Sequence, residues 1–168
     1  FSVHIDDVFL SNGEWNAEGN CTPGDECDPA RYPDTAPGAT SRMDAGDVSH
    51  LVDWQRANDL KLDMTFNAAG ARRGDALTRS LLANAGEMRW LNHTWEHPYI
   101  GCFKDESVTP WQCQSDPVTG QVKWYPSGDI SREINRNIRW AQWNGVALDR
   151  TATVFDPDPV AIDMAHAV

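Results

Sequence analysis

Glu87-Met88-Arg89-Trp90-Leu91-Asn92-His93-Thr94-Trp95-Glu96-His97-Pro98 is the stretch whose reading decides the fold. As one continuous helix it would put His93, Glu96 and His97 on a single face and make the chain a helical zinc protease. Pro98 opposes this, because its ring would clash with the carbonyl of Thr94. Met88 to Asn92 reads instead as a buried strand that delivers both histidines into a loop at its carboxyl end.

The rest of the fold follows outward from that strand. Leu62, Met64 and Phe66 alternate, which predicts a second strand over Lys61 to Asn67. Val48, Leu51, Val52 and Gln55 predict a helix over 44–59, and Ser2 to Phe9 reads as a first buried strand. Asp75 is placed to cap a helix carrying Leu77, Leu81, Leu82 and Ala85, which Gly86 ends. Downstream, Ile130, Ile134, Ile138 and Ala141 stripe another helix, with Gly145 at its end. Thr151 to Phe155 predicts a fourth strand, and Asp158-Pro159 starts a final helix. Residues 11–43 and 98–127 are long polar loops. Strand then helix, four times over, predicts an α/β fold: a parallel sheet or barrel with helices outside. Four units are half of an eight-unit barrel, and the pattern stops inside its last helix. Residues 1–168 are therefore expected to form a single incomplete domain, the N-terminal half to two-thirds of a (β/α) barrel-like fold.

Composition narrows the function classes. The formal net charge is −11 with no basic patch, which excludes a nucleic-acid partner of the usual kind. A polymer bearing free amines would be attracted. No run of apolar residues is long enough for a membrane span. The four cysteines fall as two close pairs, Cys21 with Cys27 and Cys102 with Cys113, in loops rich in Pro and Gly. Of the three possible connectivities, the simplest staples each loop to itself. Disulfides imply an oxidising compartment, so a secreted, extracellular location is expected. A structural zinc site lacks the CxxC spacing it would need. The chain begins at Phe1 inside a strand-like run and without a signal peptide, as a piece of a longer protein would.

The chemistry sits where parallel folds gather reacting groups, at the carboxyl ends of strands. Asp6-Asp7 lies near the end of the first strand, and His93 and His97 follow the third. Taken singly, an aspartate pair can cap loop amides, and a histidine pair is more often structural than metal-bound. Taken together they supply two nitrogens, one carboxylate and a spare carboxylate for proton work. That is the donor set of a metal-dependent hydrolase with an open coordination position, and zinc suits it. One aspartate must face the ion and the other must act as base, since two bound acids would leave no proton acceptor.

His4-Ile5-Asp6-Asp7 with Asn92-His93-Thr94-Trp95-Glu96-His97-Pro98 resembles the NodB-homology polysaccharide deacetylases, in particular a divergent secreted branch acting on exopolysaccharides. The resemblance implies that Asp6 is the catalytic base and that Asp7, His93 and His97 bind the metal, most naturally Zn²⁺. It implies removal of acetyl groups from an extracellular N-acetylated polysaccharide or oligosaccharide. Thr94 falls at the family's Ser/Thr position. The chain departs from the pattern at Val8, where the family has Gly, and at Phe155-Asp156-Pro157-Asp158-Pro159, which lacks the family's Arg. The family's general-acid histidine has no matching segment before residue 168, and His166 is a poor substitute. Two other classes compete. An inverted zincin protease, matching His-x-x-Glu-His literally, requires a helix through 93–97 and leaves Asp6-Asp7 unexplained. A catalytically silent glycan-binding relative would bind without releasing acetate.

Eight tryptophans are a heavy load for 168 residues. Trp95, Trp111, Trp124 and Tyr125 lie in or near the loops and could stack on sugar rings. Trp54, Trp90 and Trp140 read as core, and His4 and His50 as structural. Asn20-Cys21-Thr22 and Asn92-His93-Thr94 both match the glycosylation sequon, the second by chance, given its place at the histidine motif.

Overall fold

A computed structural model describes residues 3–24, 27–105, 107–108 and 111–153, with the backbone alone at 150–153. In chain order these form β1 (His4–Ile5), β2 (Asn12–Gly13), β3 (Thr40–Ser41), α1 (Ala45–Asn58), β4 (Asp63–Phe66), α2 (Ala76–Ala83), β5 (Arg89–Asn92), β6 (Lys104–Asp105), β7 (Gln112–Cys113), α3 (Ser127–Trp143) and β8 (Leu148–Thr153). The chain divides into two compact units. One comprises Phe1–Leu10, Arg42–Pro98 and Ser127–Val168; the other comprises Ser11–Ser41 and Tyr99–Pro126.

The first unit is mixed α/β. Its sheet runs β1-β4-β5-β8, in the order of the chain, and every neighbouring pair is parallel. A helix separates each strand from the next, as the alternating pattern predicted. β4 is buried along its whole length, as a central parallel strand must be. β1 is shorter than expected because Asp7, at φ 53°, leaves the extended region and turns the chain. Val8 N still reaches the Thr65 carbonyl at 3.3 Å. β8 starts three residues before the expected strand. Phe155 to Pro159, the final helix and His166 lie outside the described residues.

Phe9, Phe66 and Trp90 form the centre of the core, with ring centroids 5.7–6.4 Å apart, and Trp140 packs on its edge 5.3 Å from Phe9. The buried Trp90 indole N–H donates to the Ala85 carbonyl at 3.0 Å, so the polar edge of that ring is satisfied. Trp54, expected in the core, is 39 % exposed: it lies off the Val48, Val52, Gln55 face that α1 buries.

α1 starts with a capping box between Asp44 and Asp47. α2 starts after Asp75, but not through the expected side-chain cap. The Asp75 carboxylate turns to Arg42 Nη2 at 2.9 Å instead. Arg42 also donates to the carbonyls of Phe9 and Gly70. Gly70 allows this close approach, since a Cβ there would lie 2.6 Å from the Phe9 carbonyl oxygen.

At the amino end of the sheet His4, Asp63 and Arg89 stand in register on β1, β4 and β5. The buried Asp63 carboxylate accepts from Arg89 Nε at 2.6 Å and meets His4 Nε2 at 3.1 Å, so His4 is structural, as expected. α3 carries a larger surprise. Its buried residues are Ile130, Glu133, Asn137 and Ala141, so the inward face is turned away from Ile134 and Ile138. Two polar side chains face the strand ends instead of two isoleucines.

The second unit is built from short antiparallel pairs, β2 with β3 and β6 with β7, that periodicity did not reveal. Cys21 pairs with Cys27 and Cys102 with Cys113, the simplest connectivity. Among the described residues no helix is long and apolar enough to cross a membrane. Both features are compatible with an extracellular protein.

Candidate metal centre

Three adjacent parallel strands end at one place. Asp6 and Asp7 follow β1, Asn67 follows β4, and His93 follows β5. The Nε2 atoms of His93 and His97 lie 2.9 Å apart, and Asp7 Oδ1 lies 3.6 Å from each. The nearest point equidistant from three atoms so spaced lies in their plane, about 2.0 Å from each, within the range of zinc–nitrogen and zinc–carboxylate bonds. Two imidazole lone pairs this close repel unless a proton or a cation lies between them. The side chains of His93, Asp7 and His97 are 5, 15 and 29 % exposed, so the group is buried behind and open on one side. This trio can hold a metal ion, as the separated motifs suggested.

The backbone is bent to make the trio. Asp7, Thr94 and His97 have φ of 53°, 67° and 63°, three of the five left-handed non-glycine residues among those described. Such conformations cost about 1–3 kcal/mol each and persist only where surrounding contacts impose them. They also exclude a helix through 93–97, so the zincin geometry is absent. Glu96 is largely exposed and pairs with Arg136 at 3.5 Å.

The imposing contacts come from residues that periodicity did not single out. Asn67 Nδ2 donates to the carbonyls of His93 and Thr94. Thr94 N donates to Asn92 Oδ1 at 3.0 Å. Asn137 Nδ2 donates to that same oxygen at 2.8 Å and to the Phe66 carbonyl at 2.6 Å, while its own oxygen accepts from Ala68 N at 2.8 Å. Glu133 Oε2 accepts from Trp95 N at 3.1 Å and Glu96 N at 2.7 Å. All four of these polar side chains are buried. Asn92 Nδ2 also donates to the Ile134 carbonyl at 3.2 Å, so this sequon asparagine serves the fold. The one available signal was the clustering of Asn and Glu at otherwise helical or strand-like positions, where unpartnered polar burial would be costly.

Asp6 is exposed and stands outside the group of three ligand atoms. The buried Thr65 hydroxyl, on β4, donates to Asp6 Oδ1. The aspartates thus face different surroundings: Asp7 turns to the imidazoles, Asp6 to a hydroxyl and solvent.

No family model, no curated protein and no solved structure matches the chain.

Proposed function

We propose that this protein is a secreted, metal-dependent carbohydrate deacetylase, whose parallel sheet forms part of a (β/α) barrel-like domain. The observation that carries the reading is the triangle of two imidazole nitrogens and one carboxylate oxygen, with a second carboxylate next in the chain and left out of it. Asp7, His93 and His97 would hold a divalent ion, Zn²⁺ by donor set. When bound, such an ion acts as a Lewis acid toward an acetamide carbonyl and makes water a stronger acid. Asp6 takes the proton of the attacking water. Thr65 fixes one oxygen of that carboxylate by its hydrogen bond and leaves the other for the proton. Addition of water to the acetyl carbon and cleavage of the C–N bond give acetate and a free amino sugar. The net negative charge favours polymers that already carry some free amines.

Elemental analysis beside an acetate-release assay on N-acetylglucosamine oligomers tests this. The wild-type chain is expected to carry one zinc, and Asp7→Ala and His93→Ala almost none. In the full-length protein, Asp6→Asn is expected to keep the metal and lose acetate release by about 10²-fold or more. A wild type that takes up no stoichiometric ion, or an Asp6→Asn variant with full activity, refutes the proposal.

A further inference from the structure

We infer that α3 is a clamp for the metal loop, with Glu133 as a positioning residue that sets metal affinity without touching the ion. The inference rests on the metal reading of Asp7, His93 and His97. Residues 94–97 cannot hold themselves in place. Two of the four have left-handed backbones, and the segment has no strand or helix of its own to pair its amides. Glu133 supplies what is missing. Its side chain, in a residue 4 % exposed, places one oxygen against the amides of both Trp95 and Glu96.

Burying a carboxylate is costly, and an alternative was at hand, because Ile134 stands next to it on the helix. The helix presents Glu133 inward all the same. Its neighbours at helical spacing grip the same loop. Arg136, three residues on, lies 4.6 Å over the Trp95 ring and reaches Glu96 Oε1 at 3.5 Å. Asn137, four residues on, holds Asn92 Oδ1, which in turn accepts from Thr94 N. The three residues therefore fix the backbone or side chains of residues 94, 95 and 96, which span the gap between the two imidazoles. A shift of this bridge moves His97 Nε2 away from His93 Nε2 and Asp7 Oδ1. Outer contacts of this kind typically change metal affinity by about 10- to 100-fold.

Both amide bonds go to Oε2 alone, and this makes the inference sharp. A glutamine has one carbonyl oxygen and can accept both, whereas an apolar side chain can accept neither. The test uses the full chain as wild type, Glu133→Leu and Glu133→Gln; leucine fills the volume without a buried charge. Zinc affinity is read by chelator competition, the site's symmetry by the visible spectrum of the Co²⁺-loaded protein, and the clamp by hydrogen exchange of the Trp95 and Glu96 amides without metal. Glu133→Leu is expected to bind zinc about 10- to 100-fold more weakly, with an altered Co²⁺ spectrum and faster exchange at both amides. Glu133→Gln is expected to restore all three to within about threefold. Wild-type affinity and spectrum in Glu133→Leu, or a Glu133→Gln variant as weak as the leucine one, overturns the inference. If Glu133→Leu does not fold, a glutamine variant with unprotected amides overturns it equally. A wild type that binds no metal defeats the metal reading itself, a distinct result.

Discussion

Asn137→Ala is the substitution from which most can be learned about how this site is held. Asn137 is fully buried on α3 and uses all three of its side-chain contacts on the ends of two strands. Removing the side chain leaves Ala68 N with no acceptor in a buried turn, a loss of about 1–3 kcal/mol. Phe66 O keeps a bond from His93 N at 3.2 Å, and Asn92 Oδ1 keeps the one from Thr94 N, so these two losses are each about 1 kcal/mol or less. The expected destabilisation is about 3–4 kcal/mol, or roughly 6–15 °C in melting temperature for a chain of this size. Urea unfolding followed by tryptophan fluorescence measures it, with chelator present so that metal binding does not contribute. Asn135→Ala is the control. That residue lies two positions away on the same helix, is exposed, and bonds only Ser131 within its own helix. Its replacement should change stability by less than about 0.5 kcal/mol. If the two variants differ by under about 1 kcal/mol, the buried network does not hold the strand ends together.

Two further outcomes follow from charge and covalent closure. The Arg42 hydrogen bond and charge hold the Asp75 carboxyl below its usual range, more than burial raises it. A depressed folded value stabilises above the unfolded value of about 3.9, and that contribution fades as pH falls through the folded value. The stability gap between wild type and Asp75→Asn should therefore be constant at pH 6–7 and narrow as pH falls below about 4; a gap as wide at pH 2 as at pH 7 contradicts the assignment. Cys102–Cys113 closes a loop of sequence separation 11. Replacing both cysteines by serine should destabilise the chain by about 2–3 kcal/mol in denaturant unfolding, and a change under about 0.5 kcal/mol would mean the loop is closed without the bond.

The sheet was largely legible because its evidence is local. The helix over 44–59 and the strands at 61–67 and 88–92 match observed elements to within one or two residues. The apolar positions of a buried parallel strand need no knowledge of its partners. The pairing of cysteines close in sequence was legible for a similar reason, as short loops close most readily. The face of α3 was read in part: Ile130 and Ala141 are buried as expected, but periodicity counts apolar residues and so gave Ile134 and Ile138 in place of Glu133 and Asn137. Glu133 and Asn137 are inside only because Trp95 N, Glu96 N, Ala68 N and Phe66 O wait for them there. Asp75 was misjudged likewise: its partner Arg42 lies 33 residues away in sequence. The short strands of the second unit carry too few residues for alternation to register.

Residue type and spacing by themselves determined the donor set: two histidines four apart, bent out of a helix by Pro98, and an aspartate pair after the first strand. Nothing in spacing could settle which aspartate turns to the imidazoles, or what keeps the loop bent. Tertiary structure decided both. The left-handed turn at Asp7 points one carboxylate inward and leaves Asp6 to Thr65, and amides that follow two strands, β4 and β5, find their acceptors on α3. A backbone group removed from water has to be partnered by whatever the fold brings within reach, and that partner has no fixed distance along the chain.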